Sequence, residues 1–419
     1  MDTTAYACQT FFLFLQPQIK TKMKRAIAIL FCCLSAIFAI ANDGVCYASG
    51  NQLIPITETD ISVKKEVLTL NRMGDHIEVT VYYEFFNPVG EKELLVGFEA
   101  ESPYNGPDPM DFYPKHPHIR NFKVVMNGES LSFEIAHVGN GHYDDNGNYV
   151  PSQYYINGRI QSWTRKQIED TIAAWDYPGS MPVDYVYYFK TKFRPGLNII
   201  QHTYDFDLSS SVEEEFYFPY VLTAANRWAN HQIDNFQLNI NIGPHESFHI
   251  FPEFFKSADE WSILGKGRVS IDTTWGITKG KETPVFHIQE GGLIFRKANF
   301  HPEGELRISQ RRDWAISYWS WGNEEDYDAE NIIAIFKKQY IPVSLSDERK
   351  KEEPYYTVFT PEQRRILKNL PFAYRGYIFK DKALRDYFES TEWYLPNPKY
   401  KGEMEGFTEK ERKWVEFWK

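Results

Sequence analysis

The chain has 419 residues, a net charge of −11 and 16% aromatic residues. This length is enough for two or three domains, and the negative charge disfavours nucleic acid and anionic lipid as partners, because both are polyanions. Of the four cysteines, Cys8, Cys32 and Cys33 lie near the N-terminus. If that region is removed, only Cys46 remains, and one cysteine cannot form an intrachain disulfide.

The first predicted element is a signal peptide. It combines a basic start after Met23, an apolar run over residues 26–40 and an A-x-A site over residues 39–41. These are the three parts of a secretory signal, and the run is too short for a transmembrane helix. Residues 1–41 are therefore predicted to be a signal peptide with an upstream extension, and the true start is expected at Met23.

We expect the processed chain to be exported and to have no transmembrane helix after signal cleavage. Cleavage at the A-x-A site makes Asn42 the first residue, whereas a second site over residues 46–48 would make it Ser49. Lipid anchoring on Cys46 is not expected, because Asp43-Gly44-Val45 is a poor match to the Leu-small-small run that precedes a lipidated cysteine.

Residues 51–160 are predicted to form a β-sandwich unit. Apolar residues alternate with mostly polar ones over residues 77–85, which is the period of a half-buried strand. Apolar runs flank Asn127 and Gly128 and predict a hairpin, since this dipeptide tolerates positive φ at both turn positions. Strands joined by tight turns favour an antiparallel sandwich.

Residues 161–322 are predicted to form a second β unit, with an inserted helix near residues 164–175. Thr164 and Gln167 have the spacing of a capping box, which marks the start of this helix. Alternating or aromatic-rich runs then predict further strands over residues 183–193, 197–206, 215–222 and 236–242.

The remaining chain is predicted to be helical. Residues 323–353 are expected to form a helix and a charged linker without apolar periodicity, and residues 354–419 a small α-helical domain. Capping boxes begin at Thr360 and at Thr408. The predicted fold class is a mainly β N-terminal region, an antiparallel sandwich of two units, followed by a small α-helical C-terminal domain.

No motif carries a specific catalytic chemistry. A P-loop, a dinucleotide-binding glycine fingerprint, HExxH and GxSxG are all missing from the sequence, so we expect no catalytic residue, cofactor or metal. His116 and His118 are a weak metal pair, because zinc sites use three or four ligands. Residues 142–153 lack the first and twelfth acidic ligands of a calcium loop. The acidic run at residues 213–215 is predicted to be a solvated strand end.

Aromatic residues supply candidate binding positions. Trp319 and Trp321 would share one face of a strand and could form a stacking platform for a sugar or peptide; the alternative is burial between a sheet and a helix. Trp393 either closes the aromatic core of the C-terminal domain against Phe379 and Phe388, or it is an exposed ligand anchor.

The C-terminal segment has small and aromatic residues in a distinctive order: Asn369, Phe372, Ala373, Gly376, Tyr377, Phe379, Leu384, Tyr387, Phe388, Trp393 and Tyr394. In order and spacing these residues resemble the YARHG domain of exported bacterial proteins. Where that family has Arg-His between its alanine and glycine, this chain has Tyr374 and Arg375, so a role of the family's histidine is unsupported. We take Tyr374 and Arg375 as candidate ligand-binding residues. The resemblance implies an extracytoplasmic accessory module and no particular reaction.

Residues 189–204, FKTKFRPGLNIIQHTY, combine an aromatic strand, a Pro-Gly turn and a strand ending in His-x-Tyr. In this the β region resembles a family of exported bacterial β-sandwich proteins without an assigned activity. We therefore expect a periplasmic or extracellular, non-catalytic cell-envelope protein. Its partner would be peptidoglycan or another envelope protein, not nucleic acid. The alternative is an envelope hydrolase acting on glycan or peptide, which would need a cleft with two facing carboxylates.

Overall fold

The computed structural model describes residues 50–57, 59–101, 113–139, 142–143, 149–150, 153–174, 183–211, 214–273, 280–311 and 360–419. All of these ranges lie within one compact unit, Gly44–Lys419. The predicted signal segment, the predicted helix and linker at residues 323–353, and the candidate residues Trp319 and Trp321 lie outside the described ranges.

Strands dominate the described chain up to residue 311. They are β1 Gly50–Pro55, β2 Ser62–Met73, β3 His76–Asn87, β4 Lys92–Ala100, β5 Ile119–Met126, β6 Glu129–Ser130, β7 Glu134–Gly139, β8 His142–Tyr143, β9 Tyr149–Val150, β10 Tyr155–Ile156, β11 Arg159–Ile160, β12 Val183–Phe193, β13 Gly196–Asp207, β14 Glu214–Val221, β15 Ile233–Asn241, β16 Glu246–Ile250, β17 Trp261–Asp272, β18 Thr283–Phe300 and β19 Leu306–Arg311.

The described helices are α1 Arg165–Ala174, α2 Pro361–Tyr374, α3 Lys382–Glu389 and α4 Glu409–Phe417, with short 3-10 turns at Thr223–Arg227 and Ala258–Glu260. The predicted fold class, a mainly β region followed by a small helical C-terminal region, is thereby confirmed. None of the helices in the described ranges has the length and apolar character that a membrane span requires.

Fifteen of the described strands form one extended sheet, in the order β6-β5-β13-β3-β2-β15-β18-β16-β19-β14-β1-β4-β12-β7, with β17 paired to β18. Most neighbours are antiparallel, but β1 pairs with β14 and β2 pairs with β15 in parallel. Strands from the two predicted units, residues 51–160 and 161–322, pair directly with each other: β3 pairs with β13 and β4 pairs with β12. That the two segments form separate units stays a prediction.

The core of the β region follows from strict alternation along its strands. On β3 the inward residues Ile77, Val79, Val81, Tyr83 and Phe85 are each at most 1% exposed, while the residues between them face outward or are half-buried. Such alternation places every second side chain on the same face. Aromatic rings fill this core, and the Trp228 Nε1–H also donates to the Leu53 carbonyl at 2.8 Å.

Two local predictions in the β region, the hairpin turn at Asn127-Gly128 and the capping box of the inserted helix, are confirmed. Asn127 and Gly128 have φ angles of 51° and 88° between β5 and β6, as a turn with two positive φ angles requires. The Thr164 amide donates to Gln167 Oε1 at 2.8 Å, and the Gln167 amide donates to Thr164 Oγ1 at 3.3 Å. This capping box precedes α1, which buries Ile168.

The C-terminal helices pack around an aromatic core of their own. Capping boxes begin α2 at Thr360 and α4 at Thr408, as predicted. The buried members of the core include Leu367, Phe388 and Trp414, and the Trp414 Nε1–H donates to the Leu367 carbonyl at 2.6 Å. We call residues 360–419 the tail and the described residues up to 311 the body.

Candidate functional site

The turn after α2 lies where the tail meets the body. Gly376 has a φ of 78°, and a Cβ atom at this position would lie 2.2 Å from the Leu395 carbonyl oxygen and 2.5 Å from Gln289 Nε2. Glycine is required here for two reasons: it accepts positive φ without strain, and it leaves room for the close approach of the body. Gly376 is therefore in close contact both with the tail backbone at Leu395 and with Gln289 of the body.

Three body side chains bind the tail through its backbone. Lys266 and Arg268 on β17 and Gln289 on β18 donate to the three consecutive carbonyl oxygens of residues 394–396. The Gln289 Nε2 atom lies 2.5 Å from the middle oxygen, that of Leu395. Lys266 and Arg268 are cations, so the two hydrogen bonds that they donate are charge-assisted and stronger than neutral ones. The body thus recognises the shape of the tail backbone.

We call this junction of tail and body the seam. A small cleft lies within it. Its lining comes from both parts of the chain: His245, Glu246, Ser247, His287, Ile288 and Gln289 from the body, and Tyr374, Trp393 and Leu395 from the tail. The cleft encloses about 20 Å³. That volume holds about one water molecule or one functional group of a larger ligand.

Two aromatic rings of the tail form one wall of the cleft. The rings of Tyr374 and Trp393 lie 4.7 Å apart between centroids, and Trp393 also contacts Phe388 of the tail core, at 5.9 Å. The Tyr374 carbonyl oxygen lies 3.1 Å from His245 Nδ1 of the body. Trp393 is only half-buried, so it both packs against the tail core and presents surface to the cleft.

Arg375, the neighbour of Tyr374, is held inside the tail. Its guanidinium forms a bidentate pair with the Glu411 carboxylate, with N–O distances of 2.7 and 3.0 Å. It also donates to the carbonyls of Pro371 and Gly406, each at 2.9 Å, and lies 4.3 Å from the Phe407 ring centroid. These contacts fasten α2 to α4. A ligand-binding role of Arg375 stays a prediction.

His287, one of the cleft-lining residues, lies between two hydroxyl groups. Its Nδ1 is 2.8 Å from Ser247 Oγ and its Nε2 is 2.8 Å from Ser270 Oγ. Burial, followed by the charges of Arg268 and His249, lowers the pKa of His287 to about 4. The ring is therefore neutral near pH 7 and a weak general base for a serine.

The described cleft lining does not contain the pair of carboxylates that a glycosidase requires. Glu246 is the one carboxylate that lines the cleft, and it accepts from Gln310 at 2.6 Å. In the predicted acidic strand end, Glu215 is exposed, but Glu214 is buried and accepts from Ser309 Oγ at 2.7 Å. Alternate strand residues face opposite sides, so of the two described members of the run, Glu215 fits the predicted solvated end and Glu214 does not.

His116 and His118, the weak metal pair of the sequence, are both buried. The His116 Nε2 atom lies 3.1 Å from the Glu101 carbonyl oxygen, and its Nδ1 accepts from the His118 amide at 3.2 Å. Burial lowers the pKa of His116 to about 3. Both nitrogens of His116 are engaged, so this ring serves as a structural hydrogen-bonding group.

Sequence reasoning identified Tyr374 but missed the body half of the cleft. The body residues of the cleft lie at the start of β16 and on β18, which pair with each other. The neighbouring β17, which also pairs with β18, supplies the donors Lys266 and Arg268. One signal was available: Lys266, Arg268 and Ser270 alternate along β17, which predicts a polar face on that strand. Nothing in that alternation specifies the tail as the element that covers the face.

With this geometry established, comparisons define the class of the tail. The YARHG domain model matches residues 338–419, so the C-terminal part of this chain is a YARHG domain. A comparison with curated proteins found no match. Among solved structures, one similar chain is a Legionella pneumophila protein described as a candidate nutrient binding protein. Its identity is 17% and its TM-score is 0.46, over 90% of this chain and 100% of that chain.

Proposed function

We propose that this is an exported, non-catalytic cell-envelope protein in which the YARHG domain and the β body together bind peptidoglycan at the seam. The observation that carries the proposal is the cleft wall formed by Tyr374 and Trp393, which faces His245, Ser247 and Gln289 of the body. Aromatic surface beside a few placed polar groups is the usual composition of a recognition site. The predicted signal segment supports export.

The size of the cleft favours a polymer over a free small molecule. Pockets that enclose a small molecule measure roughly 300–1,000 Å³, whereas this cleft encloses about 20 Å³. A polymer can place one hydroxyl, acetyl or peptide group in the cleft and lie along the surface of the seam. A free sugar or amino acid would lose most of that contact.

The lining favours binding over hydrolysis. A glycosidase needs two carboxyl groups roughly 5–10 Å apart across the substrate, and the described lining contains one, Glu246. Asp272, the acid that could orient a histidine, lies 3.0 Å from His249 Nε2, while His287 is held by two serines. The hydrolase alternative therefore has less support in this part of the chain.

Co-sedimentation with purified, insoluble peptidoglycan tests the proposal. We expect the wild-type protein to sediment with the polymer and both Trp393→Ala and Tyr374→Ala to lose most of this binding, because each removes one ring of the cleft wall. Tyr387→Ala is the matched control, since Tyr387 is a half-buried tail tyrosine outside the cleft lining.

A thermal melt of each variant separates lost binding from lost folding. Variants that melt like the Tyr387→Ala control but fail to sediment support a binding role. If the wild-type protein does not sediment with peptidoglycan, or if the two cleft variants bind as well as the control, the proposed function is wrong.

A further inference from the structure

A histidine and two carboxylates, none of them among the described residues that line the cleft, converge on the outer face of the body. His76 and Glu78 lie two residues apart on β3, and Asp205 lies opposite Glu78 on β13. One donor atom from each side chain falls within 4.8 Å of the others. From this juxtaposition we propose that His76, Glu78 and Asp205 form a binding site for a divalent transition-metal ion, with zinc as the best fit.

The alternation of the two strands produces this convergence. Ile77 and Phe206 point into the core and are fully buried, so the side chains on either side of them must point outward. Directly opposed residues of an antiparallel pair have Cβ atoms about 4.5–5.5 Å apart. The backbone therefore fixes the distance between Glu78 and Asp205, and His76 enters from the preceding position on the same face.

The donor set suits zinc. Imidazole nitrogen and carboxylate oxygen are both common zinc ligands, and three protein ligands plus water make an open site. Zinc bonds of about 2.0–2.2 Å at tetrahedral angles place ligand atoms about 3.4 Å apart. Donor atoms already within 4.8 Å of one another need only small side-chain rotations to reach that spacing.

Neighbouring groups orient two of the three ligands. Asp75 Oδ1 lies 3.0 Å from His76 Nδ1, so the second ring nitrogen of His76 is left to bind an ion. The Asn121 side-chain amide donates to Asp205 Oδ2 at 2.6 Å, which leaves Asp205 Oδ1 as an acceptor. Such outer contacts hold metal ligands in position and raise their affinity for the ion.

The local charge also favours a cation. Among the described residues, neither Glu78 nor Asp205 forms an ion pair with lysine or arginine, and Asp75 pairs only with His76. Arg120 lies opposite Asp205 on β5, but its guanidinium is paired with Asp207, at 2.5 Å. The carboxylates of Glu78 and Asp205 lie close together and repel one another. A bound divalent ion would remove that repulsion.

Titration of the metal-free protein with zinc chloride, followed by calorimetry, tests the site. We expect one zinc per chain. Asp205→Asn and His76→Ala should each weaken zinc binding by at least about 10-fold. Removing a residue that only hydrogen-bonds to a metal ligand already costs about 10-fold in affinity, and these two substitutions remove a ligand itself. Asp207→Asn is the matched control, because it makes the same charge change at the residue opposite His76, whose carboxylate is already paired with Arg120. It should weaken zinc binding less than Asp205→Asn does.

Thermal melts in chelator show whether each variant folds, and these half-buried or exposed positions should melt like the wild type. Binding of one equivalent of zinc that Asp205→Asn and His76→Ala each weaken more than Asp207→Asn does supports the site. Absence of saturable zinc binding overturns it, and so does binding that Asp205→Asn leaves intact or that Asp207→Asn weakens equally.

Discussion

Replacing Arg375 by alanine tests how the YARHG domain is held together. The guanidinium donates four hydrogen bonds: two join it to the Glu411 carboxylate of α4, one goes to the Pro371 carbonyl of α2, and one goes to the Gly406 carbonyl before α4. The Arg375 and Glu411 side chains are only 18% and 13% exposed. The substitution therefore removes several bonds at once and leaves a poorly solvated carboxylate without its cation.

The expected loss is about 3 kcal/mol in the free energy of unfolding of the tail. Removing one partner of a buried ion pair costs about 3–5 kcal/mol, and the lower end applies because Arg375 and Glu411 both keep some exposure. In a domain of 60–100 residues each kcal/mol lowers the melting temperature by roughly 4–8 °C. The tail transition should therefore fall by about 12 °C or more.

Differential scanning calorimetry of the purified protein measures this change. Lys382→Ala is a matched control, because Lys382 pairs with Asp386 at the surface of the same domain with side-chain exposures of 79% and 53%. Such a pair contributes at most about 1 kcal/mol. The double variant Arg375→Met with Glu411→Gln should lose less stability than Arg375→Ala, since no uncompensated charge remains and glutamine can still cap α4.

An Arg375→Ala variant that melts like the Lys382→Ala control would refute this reasoning. The guanidinium would then be available to a ligand, as the sequence predicted for Arg375. A double variant that is as unstable as Arg375→Ala would assign the loss to packing on Phe407 and not to the stranded carboxylate.

Three further predictions concern other parts of the chain. Burial lowers the pKa of His202 from 6.5 to about 3. Between these pH values the unfolded chain binds a proton that the folded chain does not, so the free energy of unfolding should fall as the pH drops from 6.5 to about 3. Urea melts of His202→Phe over the same pH range should show a smaller fall. Limited proteolysis should cut first between residues 344 and 353 and release the tail, because the charged sequence there predicts an exposed linker; cleavage confined to the body would contradict this. N-terminal sequencing of the protein from its producing cell should begin at Asn42 or Ser49, whereas an intact Met23 segment in a cytoplasmic pool would overturn export.

Much of the fold could be predicted from local sequence. Alternation over residues 77–85, the Asn127-Gly128 turn and the capping boxes each depend on neighbours in the chain, and the structure contains all of them. The aromatic tail could be assigned to the YARHG domain for the same reason. Its positions follow in a fixed order within one short span.

Long-range pairing could not be read in the same way. The parallel pairing of β2 with β15 joins residues about 170 positions apart, and no local pattern specifies such a partner. The candidate sites share this difficulty. Gly376 meets Gln289 across the seam, and the proposed metal ligand Asp205 joins His76 only because β3 and β13 are neighbours.

Hydrogen–deuterium exchange, with and without solubilised peptidoglycan fragments, tests the central claim most directly. Because the proposed site uses both parts of the chain, we expect slower exchange in residues 245–247 and 287–289 of the body and in residues 393–397 of the tail, at the same fragment concentration. Trp393→Ala should abolish the slower exchange in both parts. Protection confined to the tail, protection at residues away from the seam, or unchanged exchange throughout would contradict a joint binding site at the seam.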